Sequence, residues 1–179
     1  MTRRLRAALV AALILVLGML AAPLFGDVKP SDDAHRTGTF KRPTFDKDYH
    51  YYLHVPDTYN ERTPHGIALY FHGQGCGTDK HNKNFRRFRS LEKHHVIMIN
   101  MMYRKSKSRF GLGNMAFDIP GKVKAARYAL EQTFADYNIV PGRGVIASFS
   151  GGGLVHYAFQ RQYGSRSFGR KWPDRKSVV

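Results

Sequence analysis

Near the C-terminus, residues 143–155 read RGVIASFSGGGLV, an apolar run that stops at a cluster of small residues. A serine held on a sharp strand-to-helix turn needs small residues two positions to either side, because larger side chains would collide with the strand and the helix. Ser148 and Gly152 satisfy this requirement around Ser150. Apolar residues resume at Leu154 with helical spacing. The pattern predicts a strand, a tight turn that presents Ser150, and a helix.

A second glycine-containing turn, HGQGCG at residues 72–77, follows the continuous apolar run IALYF at residues 67–71. Such a run suits a strand that is buried on both faces, and glycines allow backbone to approach a substrate closely. Ligands of an open α/β sheet bind where the carboxyl ends of its strands meet. We therefore expect both turns at one edge. The amides of Gln74 and Gly151 would then be directed at the oxyanion that forms when Ser150 adds to a carbonyl group.

The rest of the chain alternates between strand-like and helix-like segments. The predicted strands are residues 49–55, 67–71, 96–102 and 144–147. The predicted helices are residues 85–91, a segment from Pro120 that stops at residues 138–142, and residues 154–163. In the middle helix one face carries four apolar residues, Val123, Ala126, Leu130 and Phe134. This order predicts an α/β fold in which helices cover a mainly parallel sheet.

Three motifs in this order resemble α/β-hydrolases: the HG turn at residues 72–73, the segment YNIVPGR at residues 137–143, and the SFSGG turn at residues 148–152. More narrowly, the chain is similar to secreted polyhydroxybutyrate depolymerases and feruloyl-esterase-like proteins. In that group a segment ending in Val-Pro, here LHVP at residues 53–56, precedes the HG strand. The resemblance spans residues 49–163.

The resemblance implies a serine hydrolase that acts on carboxylic esters through an acyl-enzyme on Ser150, without a metal or an organic cofactor. Gly151 and Gln74 would supply the oxyanion hole. Four residues would support the two turns: His72, Gly73, Ser148 (where the group usually has glycine) and Gly152. The implied substrates are small-molecule or polymeric esters, with polymer esters and hydroxycinnamate or acetyl esters of polysaccharides ahead of peptides. The implied fold is an α/β-hydrolase-type sheet, mainly parallel with flanking helices, and incomplete because its later strands are missing.

Other interpretations of the same residues are less well supported. Glycine-rich turns also bind nucleotides or cap helices, but no Gly-Lys-Ser/Thr follows either turn, and Thr78 occupies the third Rossmann glycine position. His72 is interpreted as a structural residue of its turn. His156, six residues after Ser150, is expected to point along its helix and not to reach that hydroxyl. No HExxH or comparable metal-ligand spacing occurs.

The formal net charge of +16 predicts a basic face. Its cationic residues fall in two clusters: Lys80, Lys83, Arg86, Arg87, Arg89 and Lys93, and then Arg104, Lys105, Lys107 and Arg109. Such a face attracts anionic surfaces. No zinc-finger, RNA-binding or basic-zipper motif accompanies it, so nucleic acid is not expected as a partner. The alternative to an enzyme is therefore an exported, non-catalytic binding module that uses this basic face.

The N-terminal segment predicts export. A basic patch at residues 3–6 precedes the unbroken apolar run at residues 7–22, so residues 1–26 are expected to be a signal peptide or, alternatively, a membrane anchor. Residues 27–43 are polar and are predicted to be a linker. The remainder would then be secreted or periplasmic, or anchored through residues 7–22. The single cysteine, Cys76, cannot form a disulfide within the chain and is interpreted as a small residue of a tight loop.

The C-terminal part lacks the partners that a serine nucleophile requires. In α/β-hydrolases the order is Ser, then Asp or Glu, then His, but after Ser150 the only acid is Asp174 and the only histidine is His156. The last six residues, DRKSVV at 174–179, translate a common sequencing-adapter string in frame. We therefore expect residues 44–173 to be the N-terminal part of a hydrolase domain, followed by a non-native tail, and the fragment itself to be inactive.

Overall fold

A computed structural model describes residues 28–73, 89–103 and 118–164 of the 179-residue chain. In these ranges the elements, in chain order, are β1 Gly38–Pro43, β2 Tyr49–Val55, β3 His65–Phe71, α1 Arg89–Lys93, β4 Val96–Tyr103, α2 Ile119–Asp136, β5 Ile139–Ser148 and α3 Gly152–Tyr163. The predicted alternation of strands and helices is confirmed from β2 onward.

The five strands of the described ranges form one sheet in the order β1-β2-β4-β3-β5. β3 pairs in parallel with β4 and β5, whereas β2 pairs antiparallel with β1 and β4. All of these strands except β2 therefore run in one direction, which confirms the mainly parallel α/β sheet. Because β3, β4 and β5 point the same way, the residues that follow them meet at one edge, which we call the carboxyl edge.

Both faces of the central strands are buried, as their continuous apolar runs predict. On one face the larger core includes the α2 stripe of Val123, Ala126 and Leu130 together with residues of α3. On the other face Leu91 of α1 packs against a smaller cluster, which consists of Tyr52, Ala68, Met98 and Met102. Helices α2 and α3 thus cover the face that carries the larger core, and they fix where the turn after β5 lies.

The prediction of a linker at residues 27–43 is wrong for its last part, because Gly38–Pro43 forms β1, an edge strand paired with β2. Along β1 the side chains of Phe40 and Arg42 are buried and alternate with exposed neighbours. An inward arginine hides the period-2 apolar pattern that identifies a strand. Pro43 is tolerated because it stands at the end of an edge strand.

β5 begins at Ile139, earlier than the predicted start at residue 144. The register against β3 shifts there, because His65 pairs with Ile139 whereas Ile67 pairs with Gly144. Gly142 absorbs this irregularity with a φ of 83°, which only glycine adopts without strain. The Pro-Gly pair at residues 141–142, which the sequence pattern assigned to the stop of the middle helix, therefore lies in a bulge within the strand.

The N-terminal segment is attached to the end of α2 through Asp136. This buried carboxylate forms an ion pair with Arg42 and accepts hydrogen bonds from the Ser31 amide at 2.7 Å and the Ser31 hydroxyl at 2.8 Å. Gln132, one turn earlier on α2, donates to the same carboxylate at 3.1 Å. Residues 28–43 are therefore part of the folded unit, although the sequence suggested a connecting segment.

Several predictions fall on residues outside the described ranges and stay predictions. They concern the export segment at residues 1–26, Gln74, Cys76, both basic clusters apart from Arg89 and Lys93, the helix at residues 85–91 before Arg89, and the tail at residues 174–179. Among the helices of the described ranges, none combines the length and apolarity needed to span a bilayer.

Candidate active site

Ser150 is the middle of the three residues between the end of β5 and the start of α3, and its backbone is left-handed with φ 49°. Left-handed backbone is uncommon for a residue with a Cβ atom, and it is the conformation of a serine presented on a sharp strand-to-helix turn. The residue is exposed. Its carbonyl accepts from the Gly153 amide at 2.9 Å, which joins Ser150 to the first turn of α3.

His72 and Gly73, the described part of the HGQGCG segment, lie beside the Ser150 turn at the carboxyl edge. A Cβ atom placed on Gly73 would stand 3.2 Å from the Cβ of Ser150 and 2.9 Å from Cδ1 of Phe149. The Phe149 amide donates to the Phe71 carbonyl at 3.0 Å, so the end of β5 is bonded to the end of β3. Gly73 thus lies directly beside Ser150, whereas Gln74 lies outside the described residues.

Gly152 is required by the close approach of α3 to the end of β3. A Cβ atom there would lie 2.6 Å from the His72 carbonyl oxygen and closer still to that of Phe71. The helix can start against the strand only because position 152 has no side chain. The sequence reasoning assigned Gly152 a supporting role, and its position is consistent with that role.

His72 is buried, and its Nδ1 is bonded to the carbonyl oxygen of Gly73 at 2.7 Å. Because a carbonyl oxygen only accepts, Nδ1 must carry the proton. The ring also contacts the Tyr103 ring, with centroids 5.1 Å apart. The bond holds the carbonyl from which the chain continues to position 74, so Nδ1 of His72 is engaged by the backbone of its own turn.

Ser148 and His156 form a hydrogen bond that the sequence reasoning missed. The Oγ of Ser148 lies 3.0 Å from Nδ1 of His156, which is 8% exposed. Burial lowers the pKa of this imidazole, because the protonated form loses its hydration. One signal was available in the sequence: His156 shares the sheet-facing side of α3 with Val155 and Phe159, and a buried imidazole needs a polar partner.

A second polar cluster at the same edge, also missed, surrounds Asp118. Asp118 caps α2 with a φ of 47° and accepts hydrogen bonds from the Gly121 amide at 3.0 Å and from the Tyr49 hydroxyl. These bonds, the one from Tyr49 above all, lower the pKa of the Asp118 carboxyl. Nζ of Lys122 lies 5.3 Å from the centroid of the Tyr103 ring, and burial lowers the pKa of this ammonium to about 8.

His72 and His156, the histidines whose contacts lie around the Ser150 turn, each use Nδ1 for a bond to a group other than Ser150. The expectation that His156 does not face the Ser150 hydroxyl agrees with this pairing, although His156 points toward β5 and not along its helix. The described residues place an exposed serine, in a strained backbone conformation, next to Gly73. The roles of the individual site residues stay predictions.

No known family pattern matches the sequence, and no curated protein is significantly similar to it. Solved structures of an esterase from Thermogutta terrifontis, a planctomycete, are similar to this chain. The butyrate-bound form is 18% identical, with a TM-score of 0.50, and the match covers 66% of this chain and 42% of that chain. The native form is 18% identical, with a TM-score of 0.49, over 73% of this chain and 46% of that chain. The form phosphorylated by paraoxon is 17% identical, with a TM-score of 0.49, over 66% and 45%.

The chain therefore spans less than half of the length of the solved structures that it matches. At such low identity the likeness concerns the fold alone, and the narrower similarity to polyhydroxybutyrate depolymerases and feruloyl esterases stays a prediction. Over about two thirds of its length, the chain has an α/β-hydrolase-type fold, with a five-stranded sheet and flanking helices.

Proposed function

We propose that the chain is part of a serine hydrolase that cleaves carboxylic esters through an acyl-enzyme on Ser150. One observation supports this proposal above the others: Ser150 is exposed in a left-handed conformation at the start of α3, directly beside Gly73. A glycine-rich helix cap would not require a serine in a strained conformation. The strain is explained if the hydroxyl must be presented to a substrate.

The chemistry follows from the two turns. The Ser150 hydroxyl would add to the ester carbonyl while its proton passes to a histidine base. The oxyanion would be stabilised by the Gly151 amide, by the N-terminus of α3 and by the predicted amide of Gln74. Collapse of the tetrahedral intermediate would expel the alcohol and leave acyl-Ser150. Addition of water would then release the acid and regenerate the serine.

The base and its orienting acid are proposed to come from polypeptide that follows residue 173 in the complete gene product, because His156 is the only histidine after Ser150 in this chain. On this proposal the chain alone is inactive. The proposed substrates of the complete enzyme are esters in polymers or on polysaccharides, in an exported or membrane-anchored protein. Sequencing the gene beyond the codon for Pro173 tests this point: an authentic stop codon after Val179 would contradict it.

A serine-reactive fluorophosphonate tests the assignment of the nucleophile in the full-length gene product. We expect covalent labelling that is lost in Ser150→Ala. Trypsin releases residues 144–161 as one peptide, so fragmentation mass spectrometry distinguishes labelling of Ser150 from labelling of Ser148. Labelling that persists in Ser150→Ala, or that never occurs, would contradict the proposal and favour the non-catalytic binding module. A panel of ester substrates then defines the specificity.

A further inference from the structure

We propose that His156 is a positioning residue for the nucleophile and acts through Ser148, to which it is hydrogen-bonded across the Ser150 turn. This inference rests on the proposed function of Ser150. We call the Ser148–His156 pair the turn clamp. His156 would touch neither the substrate nor the reacting atoms, and its effect would be to hold the end of β5 against α3.

The clamp bridges the two elements that the Ser150 turn connects. Ser148 is the last residue of β5, and His156 lies in the second turn of α3. Their bond of 3.0 Å joins residues eight positions apart and closes a ring around the glycine-rich turn. Residues 149–151, which connect β5 to α3, make no side-chain hydrogen bond within the described part of the chain. The clamp is therefore the side-chain tie across this turn.

Breaking the hydrogen bond between His156 and Ser148 would be energetically unfavourable. His156 is buried, and within the described residues its Nε2 has no hydrogen-bond partner. Within the described residues, Ser148 thus provides the hydrogen bond of the buried His156 ring. Without Ser148, both ring nitrogens, Nδ1 and Nε2, would be buried and unsatisfied. An unsatisfied buried polar group costs about 1–3 kcal/mol. The pair should therefore hold its geometry more strictly than an exposed pair would.

The clamp is also packed against the strand that carries the second glycine turn. The His156 ring stacks on the Phe71 ring, with centroids 6.3 Å apart and an interplanar angle of 29°. The carbonyl of Phe71 accepts from the Phe149 amide and lies against Gly152. The imidazole therefore packs where β3, β5 and α3 meet. A change in its position would shift Phe71 and, through Phe71, the residues Phe149 and Gly152 on either side of Ser150.

Ser150 needs such support because its conformation is unfavourable by itself. A left-handed residue with a Cβ atom is strained by about 1–2 kcal/mol, and such strain persists only where the surroundings over-determine it. When the clamp is removed, the turn can relax toward conformations that turn the hydroxyl away from the oxyanion donors. Misplacement of a reacting group by about 1 Å can lower a rate by about a hundredfold.

The test compares three variants of the full-length gene product with the wild type. His156→Phe keeps an aromatic ring on Phe71 but removes Nδ1. Ser148→Ala removes the partner. His156→Asn is the conservative variant, because its amide nitrogen can take the place of Nδ1. The rate constant of fluorophosphonate labelling at Ser150 is measured for each, with the folded fraction determined by circular dichroism.

We expect labelling about tenfold slower in His156→Phe and in Ser148→Ala, little further loss in the double variant, and recovery toward the wild-type rate in His156→Asn. Equal labelling of all variants would overturn the clamp while leaving the ester hydrolase proposal intact. So would slowing that matches the loss of folded protein, or effects of the two single variants that simply multiply. A label found on Ser148 would overturn both proposals.

If the wild type is not labelled at all, the proposed function fails, and amide hydrogen exchange decides the clamp. The informative amides are those of Phe149 and Gly152, which donate to the carbonyls of Phe71 and Phe149. Faster exchange of both in His156→Phe, with protection restored in His156→Asn, supports the clamp. Unchanged exchange in His156→Phe overturns it.

Discussion

Four residues other than glycine have a positive φ in the described ranges, and two of them, Ser150 and Asp118, border the carboxyl edge. Asp118 has an evident local reason for its conformation, since its carboxylate caps α2. Ser150 has no side-chain hydrogen bond of this kind in the part of the chain that the structure describes. Strain without local compensation is typical of residues placed for function.

The backbone strain at Ser150 can be measured separately from its hydroxyl. We expect Ser150→Gly to have a free energy of unfolding about 1 kcal/mol higher than Ser150→Ala, because only glycine adopts left-handed backbone without strain. Both variants lack the hydroxyl, so urea denaturation compares the backbone alone. At Ser148, in extended strand, the order should reverse, since glycine weakens strands. An alanine variant at position 150 as stable as the glycine variant would contradict the left-handed turn.

How far the site could be predicted depends on the residue. Ser150 and Gly152 could be singled out because small residues around a serine after an apolar run have a steric meaning. Gly73 could be singled out because it belongs to the glycine-containing turn after the apolar run at residues 67–71. The pairing of Ser148 with His156 was missed because His156 was considered only as a base for Ser150. Asp118 and Lys122 were missed because they depend on which strands become neighbours, and the β2–β4 pairing that brings Tyr49 beside Tyr103 is not readable from local pattern.

At the scale of elements, the start of α3 determines the distance between helix and sheet. Two adjacent glycines begin this helix, but their surroundings differ. Position 152 faces the carbonyl oxygens of Phe71 and His72, whereas a Cβ atom on Gly153 would meet nothing within 4 Å. The sequence GGG thus contains one glycine that packing requires and one that it does not.

This contrast gives a matched pair of variants. We expect Gly152→Ala to lower the free energy of unfolding by more than about 2 kcal/mol, because the helix must move away from β3. Gly153→Ala should raise it by up to about 1 kcal/mol, because alanine is the better helix former. Thermal unfolding followed by circular dichroism measures both. Similar effects of the two substitutions would contradict the close approach of α3 to the sheet.

The elements that could be predicted are those whose apolar pattern is uninterrupted. β3 and β4 have apolar runs, β2 is rich in aromatic residues and ends before Pro56, and α2 has a stripe of helical period, so their positions were predicted within a few residues. β1 was missed because one of its two inward side chains is Arg42, a charged residue. The first half of β5 was missed because Pro141 and Gly142 normally end a strand, and here they occupy a bulge instead.

At the scale of the whole molecule, Asp136 connects the N-terminal segment to the rest of the sheet. Its ion pair with Arg42 is buried, with side-chain exposures of 4% for Arg42 and 0% for Asp136. The Arg42 guanidinium also lies 5.9 Å from the centroid of the Tyr137 ring. When one member of such a buried ion pair is removed, the other remains as an unpaired charge that water cannot reach.

We therefore expect Arg42→Met or Asp136→Leu alone to lower the free energy of unfolding by about 3–5 kcal/mol, since each leaves one buried charge unpaired. The double variant should be less destabilised than the sum of the two, because it leaves no uncompensated charge. Urea denaturation of the three variants gives the coupling energy. Additive effects would show that the two side chains act independently and would contradict the buried pair.

The pH dependence of stability should reflect the buried histidines. Burial lowers the pKa of His65 and of His156 below the ordinary value of 6.5, and in His65 the nearby His95 and Arg143 lower it further. As the pH falls through 6.5, the unfolded chain takes up protons that the folded chain does not, so the free energy of unfolding should decrease. His65→Asn should make this decrease shallower in urea titrations between pH 7.5 and 5. An unchanged slope in His65→Asn would contradict a neutral buried imidazole.

The contact between Ser31 and Asp136 joins residues 105 positions apart. During synthesis the ribosome releases β1 early, but its carboxylate partner emerges only when α2 is complete. Until then we expect the segment around Ser31 to lack this attachment and to be accessible to proteases. Protection of the segment near Ser31 in a limited-proteolysis experiment on nascent chains of increasing length would thus report the moment at which α2 docks.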